Sequence, residues 1–316
     1  MEEEELGRRL APDLPPLPRR AGRLPPLRDP VPAAPDRDRD GGQHGGEPRG
    51  DLLGAPFPVP RARVTPPALP LLPSPAGAEG YVALDKPAGL AVHGPGGVLA
   101  AARESLGAEL SLVHRLDRIT SGVLLLARGE EALAAAHAAW AERVTKTYLA
   151  LVRGTPDPPE GVVTAPLLEH RTSRPDLLRR ALRAAYGPGR AGKLLAGQRV
   201  GGLPPVPSPG TTAVHPKGRP AETGYRLLAA RGELSLVACR PRTGRMHQVR
   251  VHLLHLGTPV AFDPLYDPAW VEGSPRAFLH AWRLEWRDPP GAAGGGVWSW
   301  EAPASPPGGG WGMIRP

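Results

Sequence analysis

The stretch HRLDRITSG, His114 to Gly122, sets two arginines and a histidine around one aspartate, between the apolar runs SLV and VLLLA. Aspartate is an anion at neutral pH, and inside a pocket that anion needs a cation beside it. Arg115 and Arg118 are close in sequence, and the distant RTGRMHQVR, residues 242–250, is a second source. A carboxylate held by arginine stays deprotonated, fit to act as a nucleophile or a general base and poor as a general acid. Taken alone, an aspartate between arginines is more often a structural ion pair.

The elements that must position Asp117 follow from the surrounding pattern. SLVHRLD and GVLLLAR read as strands on either side of a turn at RITS, which presents Asp117 at a strand edge rather than in a core. YVALDKPAGL before them is a short strand and a Pro-Gly turn. EEALAAAHAAWAER after them is a helix, with acids in its first turn and Leu133, His137, Trp140 and Val144 on one face. His137 is then a packed helix residue, not a ligand. KTYLALVRG, AETGYRLLA, LSLVACRP, AFLHAWRLEW and VWSWEAP read as further strands, and RMHQVRVHLLHLG as a helix ended by Gly257. Without a regular βαβ repeat, the fold expected is α+β: a mixed, largely antiparallel sheet with flanking helices.

Composition sets the limits on either side of this domain. Residues 1–76 hold 18 prolines and balance 11 arginines against 11 acids. They have no helical or alternating period, so a disordered, polyproline-like segment is expected there. The formal charge of +8 therefore falls on residues 77–316, a domain at 77–305 followed by a Gly/Pro-rich tail at 306–316. Such an excess suits a polyanionic partner. Within a basic insertion at about 170–215, His170 to Arg199 carries eight Arg or Lys against Asp176, charge available to phosphates, with a short helix at PDLLRRALRAAY. Cys239, the single cysteine, excludes an intramolecular disulfide and reads as a buried inert thiol. The chain opens on MEEEE without an apolar leader and lacks a membrane-length apolar run, which leads us to expect a cytoplasmic protein with no membrane association.

Other chemistries lack their parts. His247 and His252 are five residues apart and share no helix face, while His252 and His255 have no accompanying carboxylate, so no metal site is expected. Ser121 has no G-x-S-x-G elbow. No phosphate-binding G-x-x-x-x-G-K-[ST] occurs, and GPGG at 94–97 reads as a bare turn.

HRLDRITSGVLLLAR resembles the catalytic motif of the RluA-type pseudouridine synthases. LDKPAGLAVH before it and KTYLALVRG, AETGYRLL, CRPRTGRMHQVRVHLLHLGTPVAFDPLY and FLHAWRL after it resemble that family's other blocks in the same order. Together they cover residues 81–286 apart from the basic insertion. The resemblance implies isomerisation of uridine in RNA, rRNA or tRNA, to pseudouridine, with no cofactor and no metal. It implies that Asp117 is the essential aspartate and that Tyr148 stacks on the target base. It further implies that Arg245 pairs with the aspartate and that Arg115 fills the space left by the flipped uridine. His114, Arg118, Thr120 and His247 flank these positions in the motifs and join Arg115 as substrate-binding candidates. Met246, Phe262 and Asp267 depart from the family pattern, the last two in the loop that follows the helix ended by Gly257. The expectation is a monomeric synthase acting on RNA. The competing class is a non-catalytic RNA-binding or RNA-folding factor on the same fold, which would have no chemical need for the carboxylate.

Overall fold

The computed structural model describes residues 69–170, 210–290, 296–304 and 306. The basic insertion's short helix, most of the Pro-rich segment and nearly all of the C-terminal tail lie outside these residues. One sheet organises the rest. Its strands are β1 (Tyr81–Lys86), β2 (Leu110–Leu112), β3 (Ser121–Arg128), β4 (Val144–Arg153), β5 (Glu160–Val163), β8 (Thr223–Arg231), β9 (Leu234–Pro241), β10 (Leu279–Arg287) and β11 (Val297–Glu301). They run in the order β1-β3-β10-β4-β9-β8-β5, with β11 added beside β10 and β2 beside β3. A separate pair joins β6 (Leu167–Glu169) to β7 (Thr212–Val214). All pairings are antiparallel except β3 with β10, which meet in parallel at His280↔Ser121 and Ala281↔Gly122. Gly122 has φ 105°, and a Cβ there would collide with the Ala281 carbonyl. Only glycine lets the two strands close up immediately after the catalytic-motif turn.

Three helices are described: α1 (Val98–Leu106), α2 (Gly129–Ala139) and α3 (Gln248–His255). Among the described residues no helix is long and apolar enough to cross a membrane. The mixed, largely antiparallel α+β architecture matches the sequence reading, and most strands fall where alternation placed them. Several details differ. Helix α2 stops at Ala139, and Val144 opens β4 instead of continuing the helical face. Val144 still meets Leu133 and Trp140 in one core cluster, across the turn between the elements. His137 is exposed, its Nε2 3.2 Å from the Val113 carbonyl. GPGG is not a bare turn, since Gly97 is the N-cap of α1. Residues ahead of 77 already pair with the sheet: Leu71 bridges Leu84, and the buried Leu72 donates its N–H to Ala83 at 2.9 Å. Cys239 is fully buried, and desolvation pushes its thiol up to about 12.

Candidate active site

The backbone around Asp117 differs from the strand edge that the sequence pattern implies. Strand β2 ends at Leu112, so His114 to Asp117 form a loop leaving the sheet rather than a strand. His114 makes that departure possible. Its Nε2 accepts the Leu125 N–H of β3 at 3.0 Å, taking the place of a strand carbonyl, and its ring stacks on Trp140 at 4.9 Å. Burial lowers its pKa to about 3, so the ring is neutral and suited to accepting that bond. Beyond Asp117 the chain turns back through a bond from the Thr120 N–H to the Asp117 carbonyl at 3.1 Å.

Lys86, at the end of β1, holds this turn from below. It is fully buried, and its Nζ donates to the carbonyls of Pro87 at 2.8 Å, Thr120 at 2.8 Å and Arg118 at 3.4 Å. Desolvation lowers its pKa to about 8, against the charge of Asp117, which raises it. The LDKPAG block is thus the floor of the Asp117 loop, a role that the sequence reading left unassigned. Its signal was present: a lysine closing an apolar strand has either to reach water or to be satisfied by carbonyls.

The cation beside Asp117 is Arg250. Its Nη1 lies 3.4 Å from Asp117 Oδ2, whereas Arg245, expected in this role, donates its Nε to the Pro220 carbonyl at 3.0 Å. The reason is local. His247 adopts a left-handed conformation, φ 56°, and caps α3. The helix that starts there carries Arg250 on its first turn into the interior, while Arg245 remains in the preceding loop. Arg250 is held by Asp263 in a two-pronged pair, Nε–Oδ2 2.6 Å and Nη2–Oδ1 2.8 Å, with its guanidinium 4.8 Å from the Tyr266 ring. Two of its three nitrogens are thereby fixed and the third is aimed at Asp117, an arrangement that requires a planar fork.

The loop carrying Asp263 is braced by the very residues that depart from the family pattern. Phe262 takes φ 63°, a left-handed conformation costly for an aromatic residue. Asp267 accepts the Phe262 N–H at 2.8 Å and pairs with Arg153 through both carboxylate oxygens at 3.0 and 3.2 Å, while Arg153 lies 5.7 Å from the Phe262 ring. The two unusual residues support one another. Met246, the third departure, donates its N–H to Glu169 Oε1 at 3.1 Å.

These residues surround a cleft of about 500 Å³, in the range of ligand pockets. Asp117, Tyr148, Arg250, Thr120, His114, Arg115, Arg245 and His247 all line it. Arg118 does not: its side chain is exposed outside the cleft, and only its carbonyl takes part, through Lys86 and the Gly89 N–H. Tyr148 rises from β4, and burial, assisted by the Asp117 charge, raises its pKa and keeps the phenol neutral. His247 Nδ1 lies 2.7 Å from the Tyr266 hydroxyl, which also accepts the Thr212 N–H at 2.8 Å. His252 faces away, into Thr223 and the Ala165 carbonyl at 2.9 and 3.0 Å. The arrangement offers one arginine-held carboxylate, a neutral aromatic face and further cations at the lip.

The family of RNA pseudouridylate synthases matches residues 80–255, the stretch from β1 through α3. Ribosomal large subunit pseudouridine synthase C of Vibrio cholerae is 35% identical over 219 residues, 65% of this chain and 58% of that protein. Its namesake from Escherichia coli K12 is 36% identical over 221 residues, 65% and 59% of the two chains. The matched region thus spans less than two thirds of the length of these relatives. Human RNA Pseudouridylate Synthase Domain Containing 4 shares the fold, with a TM-score of 0.51 at 23% identity over 74% of this chain and 87% of that one. Because the matched stretch contains Asp117 with its loop, the tyrosine strand and the arginine helix, the chain belongs to the RNA pseudouridylate synthase family.

Proposed function

We propose that the protein isomerises uridine in structured RNA to pseudouridine, with Asp117 as the catalytic carboxylate. The observation that carries the reading is Asp117 itself: a carboxylate at the wall of an open cleft, paired with a buried arginine whose other bonds are already made. The reaction breaks the N1–C1′ bond, forms C5–C1′, and exchanges a proton at C5 for one at N1. Atoms and electrons balance within the substrate, so the chemistry calls for a nucleophile or base rather than a redox group. Arg250 stabilises the anionic form that either role requires. Tyr148 offers the detached base a stacking face, and Arg115, exposed at the lip, is placed to occupy the stack that the base leaves. A base within a helix must be extruded to reach Asp117, at a cost of a few kcal/mol, which such contacts offset.

The names of the matched relatives point to ribosomal large-subunit RNA as the substrate for this chain. The test is pseudouridine mapping of cellular RNA from a deletion strain complemented with wild type or Asp117→Ala. One or a few ribosomal sites should vanish on deletion and return with wild type alone. If Asp117→Ala restores every site, or no site changes, the catalytic reading fails and an RNA-binding role replaces it.

A further inference from the structure

The cleft contains a cation that the chemistry at Asp117 leaves unused. Lys146 lies two residues before Tyr148 on β4, so both side chains emerge on the same face, and both line the cleft. Its Nζ lies 5.3 Å from the centre of the Trp140 ring, the ring that stacks on His114. Among the described residues, no carboxylate lies within ion-pair distance of it and it makes no hydrogen bond. Contact with an aromatic ring offsets only part of the cost of withdrawing an ammonium group from water. The cost is visible in its acidity, lowered to about 8 by burial alone. Asp117 is paired with Arg250, whereas Lys146 stands over the Trp140 ring, so the two cations hold different parts of the cleft.

We propose that Lys146 binds a backbone phosphate of the RNA next to the nucleotide held at Asp117. The inference rests on the reading of the cleft as an RNA site. An ammonium group with no carboxylate and no hydrogen bond among the described residues, at the wall of a cleft open to a polyanion, is completed by the anion that the polymer brings. A phosphate next to the extruded nucleotide arrives with it whatever the surrounding sequence. Lys146 is thus a binding residue for the strand, and its contribution belongs to affinity rather than to the bond-making step.

The proposal is tested with the full chain by filter binding to single-stranded oligouridylate and to transcribed large-subunit ribosomal RNA. Wild type is compared with Lys146→Met and Lys146→Arg at salt concentrations from about 50 to 200 mM. Lys146→Met is expected to bind about tenfold more weakly. Its slope of log K against log salt should be shallower by about 0.7, the loss of one single-strand phosphate contact. Lys146→Arg should keep the slope. In turnover, KM should rise while kcat holds. The RNA-free Lys146→Met protein should melt at a higher temperature than wild type, since a partly desolvated charge has left the cleft wall. An unchanged salt slope overturns the proposal, and so does a fall in kcat at constant KM, which would place Lys146 at the reacting base. A Lys146→Met protein that loses stability or fails to fold marks Lys146 as structural, and the proposal falls with it. If wild type binds RNA but forms no pseudouridine, the enzymatic reading fails while the binding comparison still decides the role of Lys146.

Discussion

Arg250 serves two carboxylates with one planar group, and its shape matters as much as its charge. Lysine in its place would keep the charge but could not bond both oxygens of Asp263 while reaching Asp117. Arg250→Lys is therefore expected to lower kcat about 100-fold, equivalent to about 3 kcal/mol, with a smaller effect on KM. Arg245→Lys, at a half-buried position in the loop before the helix, should cost less than about tenfold, mainly in KM. Single-turnover pseudouridine formation by the two variants separates them, and a larger loss for Arg245 would reverse the assignment. The family resemblance of TGRMHQ puts the pairing arginine at Arg245, and nothing in the letters of RTGRMHQVR tells it from Arg250. Gln248 through Leu253 are all buried, so α3 has no polar face from which Arg250 could be recognised as the inward residue. The turn that decides the matter, His247 in a left-handed conformation, belongs to a residue type without the glycine signature of such a turn.

At the scale of elements, the legible parts were those with a strong period. Strands β4, β8, β9 and β10 alternate or run apolar over eight to ten residues, and each was read correctly. Strands β5 and β6 have four and three residues, too few for a period, and α1 hides behind a glycine-rich turn. The Asp117 loop was read as strand because SLVHRLD continues an apolar run, whereas His114 supplies the acceptor that allows the chain to leave the sheet. What returns it is Gly122, at the point where β3 and β10 meet in parallel. Gly122→Ala would combine a disfavoured φ with a collision against the backbone of Ala281. A loss of about 3 kcal/mol in denaturant unfolding is expected, more than for an ordinary surface change. A loss below about 1 kcal/mol would mean that the junction relaxes freely and does not fix the Asp117 loop.

Over the whole molecule, the same economy of buried polar groups ties stability to pH. His114 and His252 are both neutral in the fold, lowered by burial to about 3 and about 4. Each nitrogen of His252 already faces a partner, Thr223 or the Ala165 carbonyl, in the network that also fixes Gln248 at the start of α3. The unfolded chain protonates these rings near their ordinary pKa of about 6.5, and the folded chain does so only at much lower pH. Between those limits the unfolded state binds more protons, so this contribution to stability is fully present above about pH 6.5 and is lost as pH falls toward 4. The melting temperature should accordingly decline over that interval and stay level in this respect from pH 7 upward. His252→Gln, which keeps a donor and an acceptor without a titrating ring, should show a smaller decline between about pH 7 and pH 5 than wild type, even if its melting temperature at pH 7 is lower. Equal declines would show that His252 is not among the groups whose protonation opposes the fold. The acid sensitivity would then rest on the other histidines that burial lowers, His215, His247, His255 and His280, and above all on His114, whose protonation would disrupt its bond to Leu125 and, with it, the loop that carries Asp117.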